Sequence, residues 1–137
     1  MKNEKPIVLI DYSMFNGDEN NIILNNLVDE LKEKELKLYG LISYKNRKST
    51  KIHKDISGII RFNDNDLNYN PYNIVRNVML FTKCRNPKKC IILSANNKVI
   101  TAFDQNGFTT DMIMFNDDNS MILLSNGICK ELTLQKR

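Results

Sequence analysis

Short, continuous apolar runs alternate along the chain with longer segments in which apolar residues recur every three or four positions. A continuous apolar run is typical of a strand buried on both faces, whereas the longer spacing is typical of a helix with one buried face. Strands separated by helices favour a mainly parallel, doubly wound sheet. The pattern predicts strands at Ile7–Ile10, Leu38–Ser43, Gly58–Phe62, Cys90–Leu93 and Asp111–Phe115, and helices at Asn20–Lys34, Ser49–Ile56, Tyr72–Thr82 and Lys98–Gln105.

The segments between these elements carry signals of their own. Asn63–Asn70 is mostly polar and is predicted to be a loop, and Pro71 suits the first turn of the helix that follows. The Asn-Gly pair that ends at Gly107 predicts a left-handed helix end. A C-terminal β-hairpin is a further possibility, with arms at Met121–Leu124 and Cys129–Leu134.

Composition is that of an ordinary globular domain. The 137 residues are 42% hydrophobic and 26% charged, which favours a single domain over residues 1–137 with a Rossmann-like three-layer α/β sandwich and a five-stranded sheet. No apolar run approaches the length of a membrane span and the first residues lack a secretory core, so an intracellular protein without a membrane partner is expected. Three cysteines without a CxxC pair predict reduced thiols.

One acidic residue stands where chemistry is expected. Asp11 ends the first predicted strand. In open α/β sheets ligands bind in the crevice beyond the carboxyl ends of the strands. Asp11 is therefore the first candidate for a functional side chain.

The segments IVLIDYS, LVDELKEKELKLYGLISYKN, YNPYNIVRNVMLF and KKCIILSANNKVITAFDQNGFTT resemble the four motifs of the haloacid dehalogenase-like (HAD) hydrolases. The resemblance covers nearly the whole chain and implies a HAD-like fold. It implies Asp11 as nucleophile with Ser13 two residues on, and Ser43, Tyr44 and Asn70 at the phosphate site. It also implies Asp11, with Asn96, as the residues nearest to a magnesium ion.

The chain departs from that family pattern at the positions that matter for catalysis. Ser13 stands in place of the second Asp, Asn70 in place of the motif-three Lys, and Ser94-Ala95 in place of the acidic pair. Magnesium prefers hard oxygen ligands, usually one or two carboxylates, and Asp11 is expected to be the only carboxylate in the cleft. No cofactor is therefore expected unless the protein is active, when magnesium would be needed. No segment has the length of a cap domain, so the cleft should be open.

Two clusters of basic residues are further candidates for binding an anionic partner. The first, between Lys45 and Lys54, follows the second strand and either contacts phosphates of a nucleic acid or forms a solvated helix face. The second lies between Lys83 and Lys89 and is expected at the opposite, amino-terminal edge of the sheet. The candidate anion contacts of the first cluster are Lys45, Arg47, Lys48, Lys51 and Lys54.

The sequence leaves three alternative hypotheses for the function of this protein. The first is a catalytically impaired HAD-like domain that acts as a binding or assembly module for a macromolecular partner, a protein or a nucleic acid. The second is a magnesium-dependent HAD-type phosphatase that uses Asp11 as nucleophile. The third is a receiver-like switch in which Asp11 is phosphorylated. The weakened motifs favour the first, so the protein is expected not to be an enzyme.

Overall fold

The computed structural model describes residues 6–12, 18–33, 36–46, 52–115 and 121–124. Strands and helices alternate along these residues, as the hydrophobic pattern predicts. The strands are β1 (Ile7–Asp11), β2 (Lys37–Ser43), β3 (Gly58–Phe62), β4 (Cys90–Ser94), β5 (Thr109–Phe115) and β6 (Met121–Leu124). The helices are α1 (Asp18–Lys32), α2 (Asp64–Tyr69), α3 (Pro71–Thr82) and α4 (Asn97–Asp104).

The strands form one sheet in the order β3-β2-β1-β4-β5-β6. The first five are parallel and β6 runs antiparallel to β5, so the predicted α/β, Rossmann-like architecture is confirmed. The first arm of the predicted hairpin, Met121–Leu124, therefore pairs with β5, and the second arm lies outside the described residues. The strand order reverses between β1 and β4, which is the position where open α/β sheets bind ligands.

Helices cover both faces of the sheet. Leu27, Val28 and Leu31 of α1 pack on one face, against the side chains of strand residues such as Val8 and Ile10. The other face carries α3 and α4, whose buried residues pack against Leu9, Leu41, Ile60 and Ile92. Each face therefore buries its own apolar layer, which gives the three-layer sandwich.

Two local predictions were wrong. Asn63–Asn70 was predicted as a loop, but its centre forms α2, because the side chain of Asn63 accepts a hydrogen bond from the backbone N–H of Asn65 and caps the helix. Helix α2 buries none of its residues, so it leaves no hydrophobic period. Residues 52–57 form a turn where a helix was expected, held by a hydrogen bond from the backbone N–H of Ile56 to the carbonyl of His53.

The ends of α3 and α4 differ in residue type. Gly107 has φ +88°, so the predicted left-handed turn after α4 is confirmed. Helix α3 ends on Lys83 in the same left-handed region, with φ 58°.

The residue after Lys83, Cys84, forms a disulfide with Cys90. The expectation of reduced thiols is wrong for this pair, because the last turn of α3 and the start of β4 meet at one edge of the sheet.

None of the described helices combines the length and the apolar character that crossing a bilayer requires.

Candidate functional site

The carboxyl edge of the sheet brings three polar side chains onto one face. In the parallel register Asp11 lies opposite Leu41, and Leu93 opposite Ile10, so Asp11, Ser43 and Ser94 stand near the strand ends. Because strand side chains alternate between faces, all three share the face of Leu9, Leu41 and Ile92, under α3 and α4. The sequence therefore placed Asp11 and Ser43 correctly at the carboxyl ends of their strands.

Asp11 is held inside the protein. Its side chain is 0% exposed, and its Oδ2 accepts a hydrogen bond of 2.6 Å from the Ser94 hydroxyl. The Ser94 oxygen accepts in turn from the backbone N–H of Asn96, at 2.9 Å. A buried carboxylate needs such partners, because leaving water costs it several kcal/mol otherwise. Asp11 thus ties the end of β1 to the turn after β4.

An open cleft of about 620 Å³ lies at this edge, and Asp11 is not among its lining residues. Asp64, which follows β3, does line it, so the expectation that Asp11 is the only carboxylate there is wrong. Asp64 accepts a hydrogen bond of 2.8 Å from the Ser43 hydroxyl and lies 3.3 Å from the Lys45 ammonium. The Ser43 oxygen also accepts from the backbone N–H of Lys45, at 3.1 Å.

The opposite wall of the cleft comes from the turn after β4 and the start of α4. Asn96 caps α4, its side-chain oxygen accepting from the backbone N–H of Lys98 at 2.8 Å. The ammonium group of Lys98 donates to the side-chain oxygen of Asn68, at 2.6 Å. Among the described residues, the cleft therefore presents amide and ammonium groups together with one carboxylate, and most of them bind one another.

The remaining predicted phosphate ligands do not converge on this cleft. Tyr44 follows β2 and is half exposed, and Asn70 lies exposed between α2 and α3. Neither is among the residues that line the cleft. Ser13 lies outside the described residues.

The two described candidates of the first basic cluster, Lys45 and Lys54, lie apart. Lys45 lines the cleft, whereas Lys54 lies in the turn that leads into β3. That turn is near the opposite edge, because the backbone N–H of Ser57 donates to the carbonyl of Leu38 at the start of β2. Arg47, Lys48 and Lys51 lie outside the described residues.

The magnesium site implied by the HAD resemblance does not fit the described side chains. Asn96 already uses its oxygen to cap α4, and Asp11 lies buried behind Ser94. Asp64, the carboxylate that lines the cleft in the described part of the chain, is shared between Ser43 and Lys45. A divalent ion would have to displace several of these partners at once.

A cluster of two aspartates and one histidine, on the α1 face, fastens a turn to the helix. Asp29, His53 and Asp55 place one potential ligand atom each within 4.8 Å of one another. However, the Nδ1 of His53 accepts the backbone N–H of Asp55, at 2.9 Å, so its Nε2–H faces Asp29 at 2.7 Å. A metal on Nε2 would require the proton on Nδ1 and would break the first bond.

Tyr12 anchors the same network to the core. Its side chain is buried, and this burial raises its pKa to about 12, although a backbone hydrogen bond with His53 works in the opposite direction. Asp55 pairs with Lys32 at 2.9 Å, which lowers the pKa of Asp55 and raises that of Lys32. The turn at residues 52–57 is thereby fastened to α1.

Sequence reasoning missed Asp64 and Asn68 as parts of the cleft wall. Asp64 carried the same signal as Asp11, because it follows the end of a parallel strand almost directly. Asn68 lay in a segment without a hydrophobic period, so its place on a helix left no trace in the pattern.

Neither the models of known protein families nor the sequences of curated proteins match this chain.

Proposed function

We propose that this protein is a binding module of HAD-like type that meets a protein partner through the carboxyl-edge cleft, rather than a phosphohydrolase. The observation that carries the proposal is the position of Asp11. A nucleophile must reach its substrate, whereas the Asp11 side chain is 0% exposed and its Oδ2 accepts the Ser94 hydroxyl.

The charge of the cleft favours a protein over a nucleic acid. Lys45 lies 3.3 Å from Asp64, so its positive charge is largely offset within the cleft. A phosphate backbone is recognised by cations and is repelled by a carboxylate at the same place. A peptide segment offers both signs of charge and amide groups, which suit Asp64, Lys98 and the side chains of Asn68 and Asn96.

The alternative is the magnesium-dependent phosphatase that uses Asp11. It is tested with p-nitrophenyl phosphate and a panel of phosphorylated metabolites, with and without magnesium, for the wild type and for Asp11→Asn. We expect no difference between the two proteins. Magnesium-dependent turnover that disappears in Asp11→Asn would overturn the binding-module proposal.

The partner is tested by quantitative affinity capture from lysate of the source cells, with and without nuclease treatment. Asp64→Lys should lose the specific partner, because it reverses the carboxylate at the cleft. Lys88→Glu is the matched control, since it changes charge at an exposed position on the other edge of the sheet. Equal capture by all three proteins, or capture abolished by nuclease, would contradict a protein partner at this cleft.

A further inference from the structure

A second cavity, here called the amino-edge pocket, lies at the opposite edge of the sheet. It has a volume of about 410 Å³ and is formed by the first residues of β1, β2 and β4 together with the end of α3. Sites for small organic ligands typically occupy about 300–1,000 Å³. The cavity therefore has the size of a ligand site, although it lies away from the usual crevice of an α/β sheet.

The charged side chains that line the amino-edge pocket are all positive. They are Lys37, Lys83, Arg85 and Lys89, and no carboxylate is among the lining residues that the structure describes. Within the part of the chain that the structure describes, none of the four forms an ion pair. Cations gathered around a concave, partly apolar surface focus a positive potential, which attracts an anion of several charges.

An aromatic wall stands beside these cations. The rings of Tyr39 and Phe81 meet edge to face, with centroids 5.9 Å apart. Gly58 makes this possible, because a Cβ at that position would lie 2.7 Å from the Phe81 ring. Phe81 nevertheless remains 50% exposed, which leaves ring surface available for stacking.

The loop that carries two of the four cations, Arg85 and Lys89, is held in shape. The disulfide between Cys84 and Cys90 closes it, and Asn86 caps its short helical turn by accepting the backbone N–H of Lys88 at 3.1 Å. Arg85 and Lys89 are thus presented from a closed loop rather than from a flexible linker. Such preorganisation lowers the entropy lost on binding.

We propose that the amino-edge pocket binds a nucleotide-type ligand, with the phosphates on Lys37, Arg85 and Lys89 and the base against Tyr39 and Phe81. A guanidinium pairs with phosphate through two hydrogen bonds, and ammonium groups add point charges. The same chemistry occurs in a free nucleotide and in a single-stranded nucleic acid. This inference goes beyond the proposed function, because it concerns the other edge of the sheet.

The test is calorimetric titration of the oxidised protein at low salt with ATP, adenosine, tripolyphosphate and a single-stranded oligodeoxyadenylate. ATP should bind with a stoichiometry of one. Tripolyphosphate should bind more weakly because it lacks the ring, and adenosine should bind weakly because it lacks the phosphates. The double variant Arg85→Gln/Lys89→Gln should lose about tenfold or more in ATP affinity, since it removes two charge-assisted contacts.

Two controls separate the pocket from net charge. Lys88→Gln changes the same loop by one charge, but Lys88 does not line the pocket. Lys45→Gln removes a charge in the cleft at the other edge. In about 0.15 M salt, where charges more than about 8 Å apart are largely screened, both variants should lose less ATP affinity than the double variant.

The outcomes divide cleanly. ATP binding that depends on Arg85 and Lys89 supports the proposal, and the tighter of ATP and the oligonucleotide identifies the source of the ligand. No saturable ATP binding by the wild type, equal losses in the control variants, or equal affinities for ATP and tripolyphosphate would overturn it. Since the cleft variants of the proposed function lie at the other edge, the two proposals fail separately.

Discussion

At the carboxyl edge of the sheet the polar side chains bind one another, whereas at the amino edge the charged residues known to line the cavity, among those that the structure describes, are all cations. Asp11 is bound by Ser94, and Asp64 by Ser43 and Lys45. The amino-edge pocket instead gathers Arg85 and Lys89 with two further lysines. A partner at the carboxyl edge, where α/β folds usually bind ligands, therefore has to share or replace existing side-chain bonds, whereas the four cations at the amino edge form no ion pair among the described residues. Position in a fold indicates where a site can be, but side-chain pairing decides whether the groups are available.

The strongest test of this contrast is Asp11→Ala, which should lower the free energy of unfolding by about 3 kcal/mol. The change leaves the buried Ser94 hydroxyl without its acceptor, and hydrogen bonds to charged groups contribute about 1.5–3 kcal/mol. Urea unfolding measures the effect, and the comparison variant Asp64→Ala, which removes a partly exposed acceptor, should cost less. A variant as stable as the wild type, or more stable, would indicate a strained functional carboxylate instead.

Alkaline pH should destabilise the carboxyl end of β1 through Tyr12, its neighbour. The pKa of Tyr12 is raised by burial from 10.0 to about 12, so the folded state holds the proton more tightly than the unfolded state. This contribution is complete below pH 10 and is lost as the pH rises towards 12, by about 2–3 kcal/mol.

Urea unfolding at intervals from pH 9 to 12, for the wild type and for Tyr12→Phe, measures this loss. The two proteins share the background titration of their lysines, so the difference between their curves isolates Tyr12. Parallel curves would show that Tyr12 is not buried as described.

At the amino edge, reduction of the disulfide should cost about 2 kcal/mol of stability, because it releases a short closed loop. The unreduced, denatured protein should show one titratable thiol, since three cysteines include the bonded pair Cys84 and Cys90. Urea unfolding with and without reductant measures the stability change, and Cys129→Ser serves as a background without the remaining thiol. Three thiols in the unreduced protein would contradict the closed loop.

The smallest effect is expected for the ion pair of the cleft. A double-mutant cycle with Lys45→Met and Asp64→Asn should give a coupling of about 0.2–1 kcal/mol, because both side chains are partly solvated. The coupling should decrease between low and high salt. A coupling of zero would mean that Lys45 is available to a phosphate, and the contrast between the two edges would weaken.

The positions of the sheet strands could be predicted from the sequence, but the hydrogen bonds between side chains of different strands could not. Strand β1 could be predicted because four consecutive apolar residues precede Asp11, and β4 for the same reason before Ser94. The hydrogen bond between Asp11 and Ser94 joins residues 83 positions apart, and no local pattern encodes it. Once Asp11 was assigned to the strand end, the pattern could not show that its side chain is buried there and bonded to Ser94.

Errors arose where stability comes from capping or from distant contacts. Helix α2 depends on the Asn63 cap and buries no residue, so it has no period to detect. The disulfide depends on how close α3 brings Cys84 to the start of β4, which the spacing of the cysteines does not reveal. The second basic cluster was placed correctly at the amino edge, because the alternation of strands and helices alone determines it.

The hydrogen bond between Asp11 and Ser94 also joins two strands that are synthesised at different times. Strand β1 gains β2 as a neighbour early, but its other edge stays open until β4 leaves the ribosome. At about 5–20 residues per second, the 83 residues between the two side chains take roughly 4–17 s to translate. During that interval the nascent chain carries an apolar strand with one edge unpaired. We expect a chaperone to bind this form of the molecule, because an unpaired strand edge can pair with another chain.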